Sequence, residues 1–157
     1  MQFNHQYWMQ YALRLARQAA DEDEVPVGAV IVKDNKIISE GWNRPIQNHD
    51  PSAHAEIMAI RNAGKFLKNY RLIDTTMYVT LEPCSMCVGA MIHARVGQLV
   101  FGASDLKTGA AGSAINLIHE SIHNHRIEVI AGVMEEECKQ LLQLFFKQKR
   151  QAKKNEK

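Results

Sequence analysis

Apolar residues at Trp8, Tyr11, Ala12, Leu15, Ala16 and Ala19, with Gln10, Arg14, Arg17 and Gln18 between them, recur at the period of a helix with one buried face. The pattern then changes. Residues 27–32 form a short β-branched run, Asp34-Asn35 is a turn signal, and residues 36–42 resume with Ile37 and Ile38, which predicts a hairpin. The loop through Arg44-Pro45 and Asp50-Pro51 ends at Ser52, a candidate N-cap for a helix over 53–63. A third strand over 77–81 stops at Pro83, a residue favoured in the first turn of a helix, and 84–93 continues in helical composition. Residues 98–102 read as a fourth strand, 104–113 as a loop rich in Gly and Ala, and 127–131 as a fifth strand. The last helix starts near Glu135 and turns Cys138, Leu141, Leu142 and Phe145 inward, with acidic residues at its start and basic ones toward its end. Strands alternating with helices predict an α/β fold, a three-layer α/β/α sandwich around a mixed five-stranded sheet. In such sheets ligands gather where strands end and helices begin.

A chain of 157 residues, with no repeat and no linker, is expected to be a single domain over 1–157. No stretch reaches the roughly 20 apolar residues of a membrane helix, and the first ten residues lack the order of a signal peptide, so a soluble, cytoplasmic protein with no membrane association is expected. Three cysteines, one pair of them close, suit metal or redox chemistry better than a disulfide framework, and Cys138 reads as core. The formal charge of +2 divides unevenly: residues 147–157 carry +5 and the rest −3. Such a basic tail can be an electrostatic footprint for a polyanion such as RNA, but charge alone favours a solvated, partly disordered C-terminus.

The candidate chemistry lies in His54-Ala55-Glu56 and Pro83-Cys84-Ser85-Met86-Cys87, both at predicted helix starts. Each alone has ordinary explanations, a surface helix for the first and a redox pair or two core thiols for the second. Together they make a ligand set. Cys84 and Cys87 lie three apart on one face of a first helical turn, so both thiolates can address one ion, and the helix dipole helps keep them deprotonated. A neutral His54 nitrogen completes a set of two sulfurs and one nitrogen that suits zinc, one ion per chain. A structural site would close with a fourth Cys or His, and none lies at zinc-finger spacing: His49 sits across a loop, and His93, His119, His123 and His125 read as surface, interface or core. The open position then holds water whose pKa falls to about 7, which makes the site catalytic. Residues two apart diverge by about 200° around an ideal helix, so His54 and Glu56 can converge only at a frayed helix start with the metal beyond it. There Glu56 is the candidate catalytic residue, a non-ligand that moves a proton from water to a ring nitrogen and then to leaving ammonia. The plainer reading, a carboxylate favouring a helix N-terminus, explains Glu56 but not its neighbours.

His-x-Glu followed by Pro-Cys-x-x-Cys resembles the signature of zinc deaminases acting on bases, and that resemblance implies their mechanism. The likeness extends through Val25-Pro26-Val27-Gly28-Ala29-Val30, Gly41-Trp42-Asn43-Arg44-Pro45, Ala53-His54-Ala55-Glu56, Tyr78-Val79-Thr80-Leu81-Glu82-Pro83-Cys84 and Lys107-Thr108-Gly109-Ala110-Ala111-Gly112-Ser113. Over about residues 8–150 the chain resembles the bacterial tRNA-specific adenosine deaminases. That resemblance implies a cytidine-deaminase-like fold, a homodimer, and conversion of adenosine to inosine at the wobble position of a tRNA anticodon stem-loop, by attack at C6 of adenine and loss of ammonia. It also implies that Asn43 hydrogen-bonds the target nucleotide, Val27 lines the base pocket and Asp105 lies beside the RNA backbone. From the residues alone, these three read as a turn residue, core and a loop cap. With RNA as substrate, Lys149, Arg150, Lys153 and Lys154 become candidate phosphate contacts. The tRNA read, its flanking bases and the roles of Ser85, Val88 and Ser104 stay open. Two rival readings remain: a deaminase of free cytosine, cytidine or guanine, and a structural zinc or redox module that binds nucleic acid without turnover. The missing fourth ligand and the placement of Glu56 argue against the second.

Overall fold

A computed structural model describes residues 2–156; Lys157, counted above in the basic tail, lies outside the described residues. Helix α1 (His5–Asp21) starts three residues ahead of Trp8 because Asn4 caps it, its side chain accepting the Tyr7 N–H at 2.9 Å. Strands β1 (Gly28–Lys33) and β2 (Lys36–Trp42) form the expected antiparallel hairpin around Asp34 and Asn35, both with positive φ, the backbone of a tight two-residue turn. Strand β3 (Thr76–Leu81) pairs antiparallel with β1, and β4 (Gln98–Ala103) and β5 (Glu128–Ala131) follow in parallel, giving one mixed sheet in the order β2-β1-β3-β4-β5.

The period-two alternation of the strands divides the core. Ala29 and Ile31, Met77 and Val79, and Leu99 and Phe101 face helices α2 (Ala55–Leu67) and α3 (Ser85–Ala94). Val30, Val32, Tyr78 and Val100 face α1 and α4 (Glu135–Asn155), packing on Trp8, Met9, Leu13 and Cys138. Helices on both faces of a mixed sheet make the three-layer sandwich expected. Among the described residues no helix is long and apolar enough to cross a membrane.

Three local expectations change. Ser52 does not cap α2: its N–H and hydroxyl both bond the Asp50 carboxylate in a local turn, and the helix begins two residues later with His54 at the cap position. Pro83 lies outside α3 rather than in its first turn, because Cys84 takes the cap position in extended conformation. The basic tail is helical as far as Asn155, and within that helix Cys138 and Phe145 are buried while Leu141 and Leu142 are only half-buried.

Candidate active site

Helices α2 and α3 start side by side at the end of the sheet where β3 finishes. Gly41 on β2 permits the approach: a Cβ there would strike the Ala55 carbonyl and the Ala59 nitrogen of α2. The first N–H of α2, that of Ala55, donates to Asn43 Oδ1 at 2.9 Å, so a side chain from the loop after β2 supplies the cap that His54 does not.

These two helix starts bring His54, Cys84 and Cys87 together. Both sulfurs stand 3.6 Å from His54 Nδ1, and the three candidate ligand atoms lie within 4.8 Å of one another. Tetrahedral zinc with Zn–S of about 2.3 Å and Zn–N of about 2.0–2.1 Å sets its sulfur and nitrogen ligands about 3.6 Å apart, so the donor set and its spacing fit that ion. No other such group occurs among the described residues, and His49, His93, His119, His123 and His125 stand outside it. Hydrogen bonds from Cys87 and His54 pull the Cys84 thiol down to about 4. The Cys87 thiol, bonded to Cys84 and buried, is held well above the ordinary thiol range. The bond to Cys84 raises His54, burial opposes this, and the nearby Glu56 charge reinforces it. A divalent cation would replace the protons these groups share.

Glu56, 4 % exposed in the first turn of α2, is brought to the same place. His54 sits outside the helix in extended conformation, with φ −71° and ψ 155°, so the divergence of an ideal helix does not apply. The Glu56 carboxyl hydrogen-bonds Cys87, and burial pushes it up to about 7, within the range where a group both takes and gives a proton near neutrality.

The remaining sequence candidates are placed less directly. Val27 is buried, and its carbonyl accepts the Asn43 N–H at 3.1 Å, tying the two together. Asn43 Oδ1 is engaged with α2, whereas Nδ2 has no hydrogen bond to another described residue. The Asp105 carboxylate accepts from the Lys107 and Thr108 N–H groups, both at 3.1 Å, and from the Thr108 hydroxyl at 2.8 Å, holding its own loop. Burial works against its ionisation, but these bonds outweigh that and hold it below the usual carboxylate range. Lys149 pairs with Asp23, and Arg150, Lys153 and Lys154 are exposed.

Two buried carboxylates escaped the sequence reading. Glu24 accepts the N–H groups of Ile46 and Gln47 at 3.3 and 2.8 Å and so holds the loop that carries Asn43. Glu82 accepts four bonds from the 104–113 loop. The available signal for Glu82 was a carboxylate ending an apolar strand, one residue before the Pro-Cys turn; Glu24 was hidden in the run Asp21-Glu22-Asp23-Glu24, which reads as a solvated helix end.

Residues 3–150 match the MafB19-like deaminase family. The tRNA-specific adenosine deaminase of Haemophilus influenzae is 55 % identical over 150 residues, 95 % of this chain and 87 % of that one. A solved structure from a study of A-to-I editing by deaminases at the wobble position of transfer RNA superposes with a TM-score of 0.84 at 41 % identity, covering 87 % of this chain and 99 % of its own. A guanine deaminase structure from Bacillus subtilis matches less fully, with a TM-score of 0.63 and 42 % identity over 65 % of this chain and 66 % of that one. By its family match, its identity to a named relative and its fold, this chain belongs to the tRNA-specific adenosine deaminases.

Proposed function

We propose that this protein hydrolytically deaminates adenosine to inosine at the wobble position of a tRNA anticodon, with His54, Cys84 and Cys87 holding one zinc ion per chain and Glu56 moving the protons. The observation that carries the reading is the buried Glu56 carboxyl beside a three-donor cluster of zinc spacing, in a chain of this family. When bound, zinc supplies Lewis acidity that makes hydroxide available from water near neutral pH. Glu56 receives one proton of that water and delivers it to the ring nitrogen, where it stays in the product. It then takes the proton of the hydroxyl added at C6 and passes it to the amino group, so that the C–N bond breaks, the C6 carbonyl forms and ammonia leaves; its burial excludes competing solvent protons. Asn43 Nδ2 donates to the target nucleotide while Oδ1 keeps α2 in register, and Val27 backs the base pocket. Asp105 shapes the loop beside the RNA backbone. Single-stranded anticodon RNA suits such a site, since a loop base costs less to present than one extracted from a duplex.

The reading includes a single domain over 1–157, supported by two core layers that share one sheet. It includes a homodimer, for which Leu106 (82 % exposed) and Ile122 (81 % exposed) offer apolar surface, and residence in the cytoplasm, where tRNA is. The deciding experiment incubates zinc-loaded protein with an unmodified anticodon stem-loop and, in parallel, with free cytosine, cytidine and guanine. Inosine in the stem-loop, lost on chelation and restored by zinc, is the expected result. Ammonia from a free base without inosine would favour the rival deaminase, and no ammonia from any substrate would leave a non-catalytic zinc module.

A further inference from the structure

Glu82 is 2 % exposed between the end of β3 and the turn that carries Cys84. Its Oε1 accepts the Asp105 N–H at 3.0 Å and the Ser113 hydroxyl, and its Oε2 accepts the N–H groups of Ala111 and Ser113, both at 3.0 Å. A buried carboxylate is costly unless its lone pairs are met, and all four donors here come from the 104–113 loop. Gly109 lies so close over the group that a Cβ would strike both the Glu82 carboxyl and the Asp105 carbonyl. The Ala110 N–H donates to the Pro83 carbonyl at 2.8 Å, which fastens the same loop beside the first cysteine.

We infer that Glu82 is a positioning residue for substrate binding: it holds the 104–113 loop, with Asp105 on it, as a preformed surface at the mouth of the site, so that RNA does not have to order the loop on docking. The inference rests on the proposed reading of that loop as RNA-facing. Preorganisation of this kind enters affinity rather than the chemical step.

The test is a split between KM and kcat. Glu82→Gln sets an amide NH₂ against N–H donors, and on zinc-loaded enzyme it is expected to raise KM for the anticodon stem-loop about tenfold, with kcat and zinc content near wild type. Amide exchange at Ala111 and Ser113 should accelerate by a similar factor. If Glu82→Gln does not fold, Ser113→Ala removes one of the four bonds from a half-buried loop residue and should raise KM about threefold at constant kcat. An unchanged KM in Ser113→Ala, or a loss confined to kcat or zinc in Glu82→Gln, overturns the inference. Failure of the substrate reading shows separately, as wild-type protein that makes no inosine; failure of the loop-holding role shows as equal exchange at Ala111 and Ser113 in wild type and Glu82→Gln.

Discussion

Glu56 and His54 show how one backbone conformation turns two neighbouring residues into a site. With His54 at the cap position and Glu56 one residue into the first turn, both side chains reach the Cys87 sulfur, which two residues apart in mid-helix would not do. If Glu56 serves as the proton carrier, Glu56→Gln keeps the shape and one acceptor oxygen, replaces the other oxygen with an NH₂ donor, and removes the group that takes up and releases a proton near neutral pH. Zinc content and stem-loop affinity should persist while the single-turnover rate falls by roughly 10²–10⁴. The pH profile supplies a second readout. Burial raises the Glu56 carboxyl to about 7, and a bound cation would lower it, so wild-type activity should rise with pH through an acid limb below 7. That limb should be missing from the residual activity of Glu56→Gln. A rate near wild type in the variant would remove Glu56 from proton transfer.

At the scale of elements, the helix starts matter more than the helices. Residue periodicity and helix-forming composition made all five strands and four helices legible, and the candidate ligand trio followed from spacing, because these signals are local. The caps were not legible: α2 is capped by Asn43 from the preceding loop, and Ser52, the local candidate, is taken by Asp50. Glu24 and Glu82 were missed for the same reason, since a buried carboxylate is explained only by the loop that folds onto it. Gly41 belongs with them, because its lack of a Cβ matters only once α2 lies against β2. Gly41→Ala would press a methyl group onto backbone atoms of Ala55 and Ala59, which cannot turn aside as a side chain can. The expected cost is about 1–3 kcal/mol, a fall of several degrees in Tm. Because the displaced segment begins at His54, zinc affinity should weaken in parallel. A variant with wild-type Tm and zinc affinity would show that β2 and α2 separate without consequence for the site.

Across the whole molecule, the basic end of α4 is joined to the active-site end of the sheet by a chain of polar contacts. Lys149 pairs with Asp23, Glu22 pairs with Arg44 at 3.2 Å, and Glu24 holds the backbone at 46–47, in the loop that carries Asn43. These contacts link the helix end to the loop that carries Asn43, and they separate the four candidate phosphate contacts into two kinds. Lys149 is engaged with Asp23 and lies over the Phe145 ring, whereas Arg150, Lys153 and Lys154 are exposed and spaced to share one side of the helix. A rival explanation of Lys153 and Lys154 is that they complement the C-terminal dipole, worth about 0.3–1 kcal/mol of stability and nothing in RNA affinity. Replacing Arg150, Lys153 and Lys154 together by Gln distinguishes the two, since Gln keeps helix propensity and Phe145 still anchors the helix. If all three meet phosphates, the slope of log affinity against log salt should become shallower by ~2, at about 0.7 per contact for single-stranded RNA. Adding Lys149→Gln should deepen the change toward ~3 only if RNA draws Lys149 away from Asp23. Otherwise Lys149→Gln should cost no more than about 1 kcal/mol of stability, the value of an exposed ion pair, and leave the slope where it was. Zinc content and the choice of adenine should survive in every variant, because phosphate contacts position the RNA without reading its bases. An unchanged slope in the triple variant, with a small loss of Tm, would assign these charges to the helix and remove them from the RNA interface.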